Sequence, residues 1–479
     1  MKHLFWIFFL GFTTMLEAQE LITYEVPGGM FYSAHNDDFT VKVRIPGGEW
    51  KDLYEYKVEV DMDTRSTASM ASFDFTGKVE MQVRKNNGTV NSVQIRPLSY
   101  GIFPEVNGQV ITFSLDQPRK LSLEVNGDKL QNLNIFANSI LKDKPDPDDP
   151  NVIYFGPGIH QPKDLPGDVF HIPSGKTVFI DGGAVVKAKF LVDSAHDVKI
   201  IGHGIVFQPE RGVEIRHSQN VTVDGPIFIN PKHYTIYGGQ TTGLTIRNIK
   251  SFSNQGWSDG IDLMSCSDVL IDDVFMRNSD DCIAIYGHRW QFYGNAQNYQ
   301  VKNSTLWADI AHPINIGLHG NAEAGGDTIE NIIFTNLDIL EHDEDDRNSQ
   351  GCMAICPSDH NLVRNITFED IRMEDFQEGQ LFNLRVLEDK KYSNAPGRGI
   401  HNVLFKNISY NGTGSGTSVI AGYDGTRKVK NIVFENLQIN GNLIFDDMPG
   451  KHNWDKTGDV RHFSVGEHVE GIQFRKGTK

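Results

Sequence analysis

Nine segments of this 479-residue chain share one pattern: apolar, any residue, apolar, a residue that is usually polar, then Asn, Asp or Gly. They begin at Val198, Val221, Leu244, Val269, Tyr299, Ile332, Ile366, Val403 and Ile432, and their fifth residues are Gly202, Gly225, Asn248, Asp273, Asn303, Asn336, Asp370, Asn407 and Asn436. The intervals are 23, 23, 25, 30, 33, 34, 37 and 29 residues. A spacing with a floor and tolerated insertions is the mark of a solenoid. One coil cannot bury its own apolar face, so coils must stack. Asn and Gly accept the left-handed backbone of a tight turn, and an Asn can bond to the Asn one coil away. The pattern predicts a right-handed parallel β-helix over 156–440. A leucine-rich solenoid would need a Leu consensus, which is absent.

The flanking regions read differently. Residues 1–18 have the form of a cleavable export signal: Lys2 and His3, an apolar run from Leu4 to Phe12, and a small residue at Ala18. The run is too short to span a bilayer, and a secreted or periplasmic protein with no membrane span is expected. Residues 19–141 alternate apolar and polar in stretches such as Phe39–Ile45, Val79–Arg84 and Val110–Leu115. They are punctuated by Asn87-Gly88, Asn107-Gly108 and Asn126-Gly127. That texture predicts an N-terminal β-sandwich in an all-β chain. The Pro- and Asp-rich segment 142–155 reads as a linker. The tail 441–479 loses the repeat and is expected to cap the stack. A net charge of −17 argues against nucleic acid as a partner. Four Cys are too few for a disulfide framework in a chain of this length, and lack zinc spacing; they read as buried small hydrophobes. No cofactor or metal is called for, and the oligomeric state is left open.

The candidate chemistry lies between Trp257 and Gly320. If the strands containing Ile261, Ile283 and Ile314 stack in register, Asp259, Asp281 and His312 form a column two residues upstream, with Asp280 beside it and Asp262 near it. Tyr234 takes the same position one coil earlier. Hydrolysing a glycosidic bond with inversion needs a protonated carboxyl and a carboxylate, roughly 6.5–9.5 Å apart. Crowded carboxylates raise at least one pKa and so supply the acid. Adjacent strand residues point to opposite faces, so Asp280 and Asp281 can both serve one cleft only across a bulge or turn. The bland alternatives are a solvated Asp-Asp turn and an ordinary buried histidine. Trp257, Tyr286, His288, Arg289, Asn315 and Arg385 are the candidate substrate contacts.

At these residues the chain resembles the clan of inverting β-helical glycoside hydrolases that includes the polygalacturonase and dextranase–isopullulanase families. Ser258-Asp259-Gly260, Ser279-Asp280-Asp281-Cys282 and Ala311-His312-Pro313-Ile314-Asn315-Ile316-Gly317 are similar to the polygalacturonase Asn-Thr-Asp, Gln-Asp-Asp-Cys and Gly-His-Gly blocks. The strand where the polygalacturonase Arg-Ile-Lys block would fall reads Gly351-Cys352-Met353-Ala354-Ile355. The N-terminal sandwich and Leu381–Arg385 are nearer the dextranase side. The resemblance implies a glycoside hydrolase acting on an α-linked polysaccharide, with Asp280 as general acid, Asp259 and Asp281 activating water, and His312 tuning the acid. A pectin or sulfated-galactan hydrolase is the alternative within the class. A calcium-dependent polysaccharide lyase and a non-catalytic glycan-binding β-helix are the alternatives outside it.

Overall fold

The computed structural model describes residues 19–161, 168–414, 416–451, 456–457 and 463–477; the export signal expected at 1–18 lies outside them. The chain folds as a parallel β-helix preceded by two packed β-sheets. Each middle rung contributes three strands. Two belong to a 21-stranded sheet that turns a corner at the repeat's Asn, and the third belongs to an 11-stranded sheet.

The nine repeat positions stack one on the next without slippage. Val198 pairs Val221, then Leu244, Val269, Tyr299, Ile332, Ile366, Val403 and Ile432 in turn. Each fifth residue has positive φ, from 53° at Asn248 to 121° at Gly202. Asn336 donates to Asn303 at 2.8 Å and Asn436 to Asn407 at 2.9 Å, so the turns are laddered. A second ladder, not expected from the repeat, runs through the residue before each repeat: Asn331 to Asn298, Asn365 to Asn331, Asn402 to Asn365 and Asn431 to Asn402.

Inside the coils the third repeat position becomes a Phe column. Phe334, Phe368, Phe405, Phe434 and Phe474 stack nearly parallel with centroids 4.7–4.9 Å apart. Truncating the middle ring, Phe405→Ala, is expected to cost about 3–5 kcal/mol, read as a lower urea midpoint with an unchanged slope.

Two boundaries move. Val152–Phe155, expected in the linker, already pairs with Thr177–Ile180 as part of the solenoid. In the tail, Val469–Arg475 pairs in register with Val429–Glu435, Ile472 on Ile432 and Phe474 on Phe434, making a further rung. A short alternation that buries Phe474 suffices to extend the stack.

The N-terminal region forms a five-stranded and a six-stranded sheet. It is fastened to the β-helix by apolar contact and buried ions. Phe136 meets Phe252 and Phe275 at 5.8 and 5.2 Å. Arg277 is fully buried, binds Asp309 at 2.9 Å and Asn132 at 2.9 Å, and lies 4.0 Å from the Trp307 ring centroid. Trp307 is therefore part of the core. A turn of the sandwich reaches the rim of the candidate site, where the Met62 N–H donates to Ser279 Oγ at 3.0 Å. All four Cys are buried and free. Among the described residues no helix is long and apolar enough to cross a membrane.

Candidate active site

The site sits where the 21-stranded sheet hands over to the 11-stranded one. Ile236, Ile261, Ile283 and Ile314 are in register, so Tyr234, Asp259, Asp281 and His312 occupy equivalent positions on four successive rungs. The turn before Ile261 is closed by Ser258, whose Oγ bonds the Gln255 carbonyl at 2.6 Å. Gly260 is obligatory there: a Cβ would lie 2.3 Å from the Cys282 carbonyl oxygen. One rung on, the pairing slips between Asn278 and Ser279. Asp280 and Asp281 lie in the irregular stretch that follows, before Ile283–Tyr286 begins. That break lets two adjacent side chains serve one cleft. Asp259, Asp280 and Asp281 each place a carboxylate oxygen within 4.8 Å of the others. This is tighter than the separation anticipated from the sequence.

The carboxylates have different surroundings. Asp281 is buried, which alone would favour its acid form, but its oxygens receive the His312 Nδ1 at 2.6 Å, the His312 N–H at 3.1 Å, the Asn315 amide at 2.8 Å and the Tyr286 hydroxyl at 3.3 Å. Together these hold it below the usual carboxylate range. Asp280 is only partly covered at the surface, and its neighbours are the N–H groups of Trp257 at 3.1 Å and Asp281 at 3.0 Å. Burial and the Asp281 charge outweigh those bonds and push it up to about 7. Asp259 and Asp262 are buried, and burial raises both well above the usual range; the charges of Asp262, Asp280 and Asp281 add to it at Asp259, and those of Asp281 and Asp280 at Asp262. Neither Asp262 oxygen has a hydrogen-bond donor among the described residues. His312 faces acceptors on both ring nitrogens, Asp281 through Nδ1 and the Ser349 carbonyl through Nε2. A carbonyl cannot donate, so only the imidazolium satisfies both. Burial disfavours it, but Asp281 and its bond win, and the pKa rises to about 9. The histidine thus bonds Asp281 directly and acts on Asp280 through its charge, which favours the ionised carboxyl there.

Trp257 is 67 % exposed and Trp290 53 % exposed on the rim. The hairpin His288–Arg289/Phe292–Tyr293 folds back over the outer face of the 11-stranded sheet, with Phe292 against Tyr237 at 5.6 Å. It brings Arg289 to 3.6 Å from Asp262, and 5.9 and 5.6 Å from the ring centroids of Tyr234 and Tyr286. Among the described residues, the buried Tyr234 hydroxyl and the buried His288 Nδ1 have no hydrogen-bond partner. Arg385 is brought elsewhere: its guanidinium donates to Asn383 at 2.8 Å and to the carbonyls of Arg347 and Asn348, bracing that loop. The Asp cluster could also ligate a hard cation, which requires ionised carboxylates; two of its three members are biased to the acid form. A cavity of about 1230 Å³ on the sandwich, lined by Tyr24, Phe31, His35 and Tyr54 among others, has no such convergence. Its Glu55 is already taken by His35 at 3.4 Å and by the Val41 N–H at 2.6 Å.

Known proteins resemble this chain in sequence and in fold. The family model "Glycosyl hydrolases family 28" matches residues 206–453. Exopolygalacturonase B of Aspergillus niger is 23 % identical over 219 residues, 43 % of this chain and 47 % of that protein. An exopolygalacturonase of Arabidopsis thaliana is 24 % identical over 205 residues, 42 % and 44 % of the two chains. The chain thus spans about half the length of the curated relatives it matches. Among solved structures, Dex49A from Penicillium minioluteum superposes with a TM-score of 0.62 at 14 % identity, covering 95 % of this chain and 96 % of its own. A Yersinia enterocolitica family 28 exopolygalacturonase does so at 0.50 and 10 %, covering 84 % and 97 %.

Proposed function

Because the chain belongs to glycosyl hydrolases family 28, we propose that it is an exported hydrolase of an α-linked polysaccharide that inverts the anomeric centre. Asp280 protonates the departing glycosidic oxygen. Asp281, assisted by Asp259, orients and deprotonates the attacking water. The observation that supports these roles is the opposite bias of two neighbouring carboxyls: Asp281 is held ionised by three side chains, while Asp280 stays protonated to about pH 7. Environments that push paired groups apart in this way divide acid from base.

The short spacing has a physical reading. A water bonded to two carboxylate oxygens at about 2.8 Å each, near the tetrahedral angle, separates them by about 4.6 Å. The observed limit of 4.8 Å fits one water shared by Asp259 and Asp281. It is also near the ~5–5.5 Å of enzymes that form a covalent intermediate, so stereochemistry is the deciding test. Time-resolved proton NMR of an α-linked substrate is expected to show the β-anomer first. An α-anomer appearing first would overturn inversion and make one of these carboxylates a nucleophile. Turnover should persist in excess chelator without an ultraviolet-absorbing product; chelator-sensitive release of such a product would instead mean a lyase.

A further inference from the structure

The cavity of about 1230 Å³ on the sandwich is walled by aromatic rings. Phe31 and Tyr32 follow the turn Gly28–Met30, are 51 % and 90 % exposed, and meet edge to face with centroids 5.1 Å apart. Tyr54, half-buried, lies 6.1 Å from Phe31, 5.3 Å from His35 and 4.6 Å from Tyr56. Its hydroxyl is shared between the Phe31 and Met30 carbonyls at 3.0 and 3.1 Å. Met30 and Tyr56 are in turn buried in the apolar layer between sandwich and β-helix, with Phe136, Phe252 and Phe275. Tyr54 is therefore held in place before any ligand arrives, and binding against it orders little. Two large rings left to solvent beside so well anchored a wall form an exposed apolar patch of the kind that marks a binding surface.

The polar lining narrows the ligand. Four acidic residues, Glu25, Asp37, Asp52 and Glu55, share the cavity with one lysine, Lys42, which pairs with Asp52 at 3.3 Å. That balance repels a polyanion. Among the described residues, the acidic groups close enough together to share a cation are Asp259, Asp280 and Asp281, and none of these lines the cavity. Aromatic faces rimmed by carboxylates suit a neutral sugar. Its C–H faces pack on the rings, and its hydroxyls donate to oxygens that can only accept.

One strand ties this cavity to the Asp cluster. Tyr56–Val60 runs from Tyr54 to the turn whose Met62 N–H reaches Ser279 Oγ at 3.0 Å. Midway, the Glu59 N–H donates to Asn230 at 2.9 Å and fixes the strand to the β-helix. At about 3.3 Å per residue, Tyr54 and Met62 stand no more than about 26 Å apart. A polymer held at Tyr54 is thus within a few sugar units of the acids.

We infer that the cavity around Phe31, Tyr32 and Tyr54 is a second glycan-binding site, which takes neutral sugar units of a polysaccharide outside the catalytic cleft. The binding stands on the cavity alone; its benefit to turnover rests on the hydrolase reading above.

The test has two arms. In the first, the full-length protein is run through native gels cast with dextran, soluble starch or a neutral galactan, and with polygalacturonate as the charged comparison. At least one neutral polymer should retard the wild-type protein. Combining Phe31→Ala with Tyr32→Ala should weaken that binding about tenfold, Tyr32→Phe should preserve it, and Phe103→Ala, at an equally exposed ring elsewhere on the sandwich, should leave it alone. Should the double variant fail to fold, Tyr32→Ala by itself carries the same readout. In the second arm, kcat/KM of the double variant should fall several-fold on the polymer, through KM, and stay unchanged on a short oligosaccharide of the same linkage. Wild-type protein retarded by no neutral polymer, retardation untouched by the ring variants, a Tyr32-dependent preference for polygalacturonate, or equal losses on long and short substrates would each overturn the second site. Retardation that depends on Tyr32 in a protein that cuts no polymer would sink the hydrolase reading and leave the glycan site standing.

Discussion

Asp280→Asn is expected to lower kcat by about a thousandfold and, at about pH 8, to raise the thermal midpoint. The first effect follows from removing the proposed proton donor while leaving Asp259 and Asp281, the proposed water-binding carboxylates, in place. The second follows from the sign of the pKa shift. The Asp280 carboxyl rises from 3.8 to about 7 on folding, so its contribution to stability is fully present below 3.8 and is lost as pH climbs through about 7. Above that the wild-type protein must keep an unwelcome charge, and the amide need not. The kinetic profile should show the same group: activity on the intact enzyme falls on the alkaline side near pH 7, where Asp280 loses its proton, and on the acid side where Asp281 gains one. A variant with near-normal kcat, or one less stable than wild type at about pH 8, would remove Asp280 from the role of acid.

His312→Leu should be the most destabilising single change in the cleft, by about 3–5 kcal/mol, because it leaves Asp281 as a buried charge without its cation. The window is set by both partners. His312 is raised from 6.5 to about 9, so its contribution is complete below 6.5 and disappears as pH passes about 9. Asp281 is lowered from 3.8, so its contribution is present above 3.8 and lost as pH falls through its folded value. The stability gap between wild type and variant, measured by urea unfolding, should be widest between these limits and close at both ends. Adding Asp281→Asn to His312→Leu should recover part of the lost stability but none of the activity, a non-additivity expected of residues in direct contact. Additive losses would mean that the two side chains do not act as a unit.

The register of the solenoid was readable in the chain because each coil repeats the same burial problem: an apolar pair inward and a turn residue tolerant of positive φ. Nine positions chosen on that pattern all pair with one another. The column of Asp259, Asp281 and His312 followed from the same register. What could not be read was anything set by backbone irregularity or by loops crossing between rungs. The slip at Asn278 and Ser279 carries no residue signature, so the joint approach of Asp280 and Asp281 was only a condition. Arg385 resembled a ligand by type and position, but its guanidinium is spent on loop carbonyls. In the sandwich, Ser66–Thr76 does not alternate because it is covered on both sides for much of its length, and periodicity is silent there.

The unbroken pairing of rungs across intervals of 23 to 37 residues has a consequence for descent. Length can be added to a connecting segment without shifting any neighbouring strand, so the walls around the candidate site are free to be exchanged piece by piece. The hairpin at 288–293 and the loop braced by Arg385 are two such replaceable walls. A lineage built on this scaffold can change those walls while Asp259, Asp280 and Asp281 stay where they were.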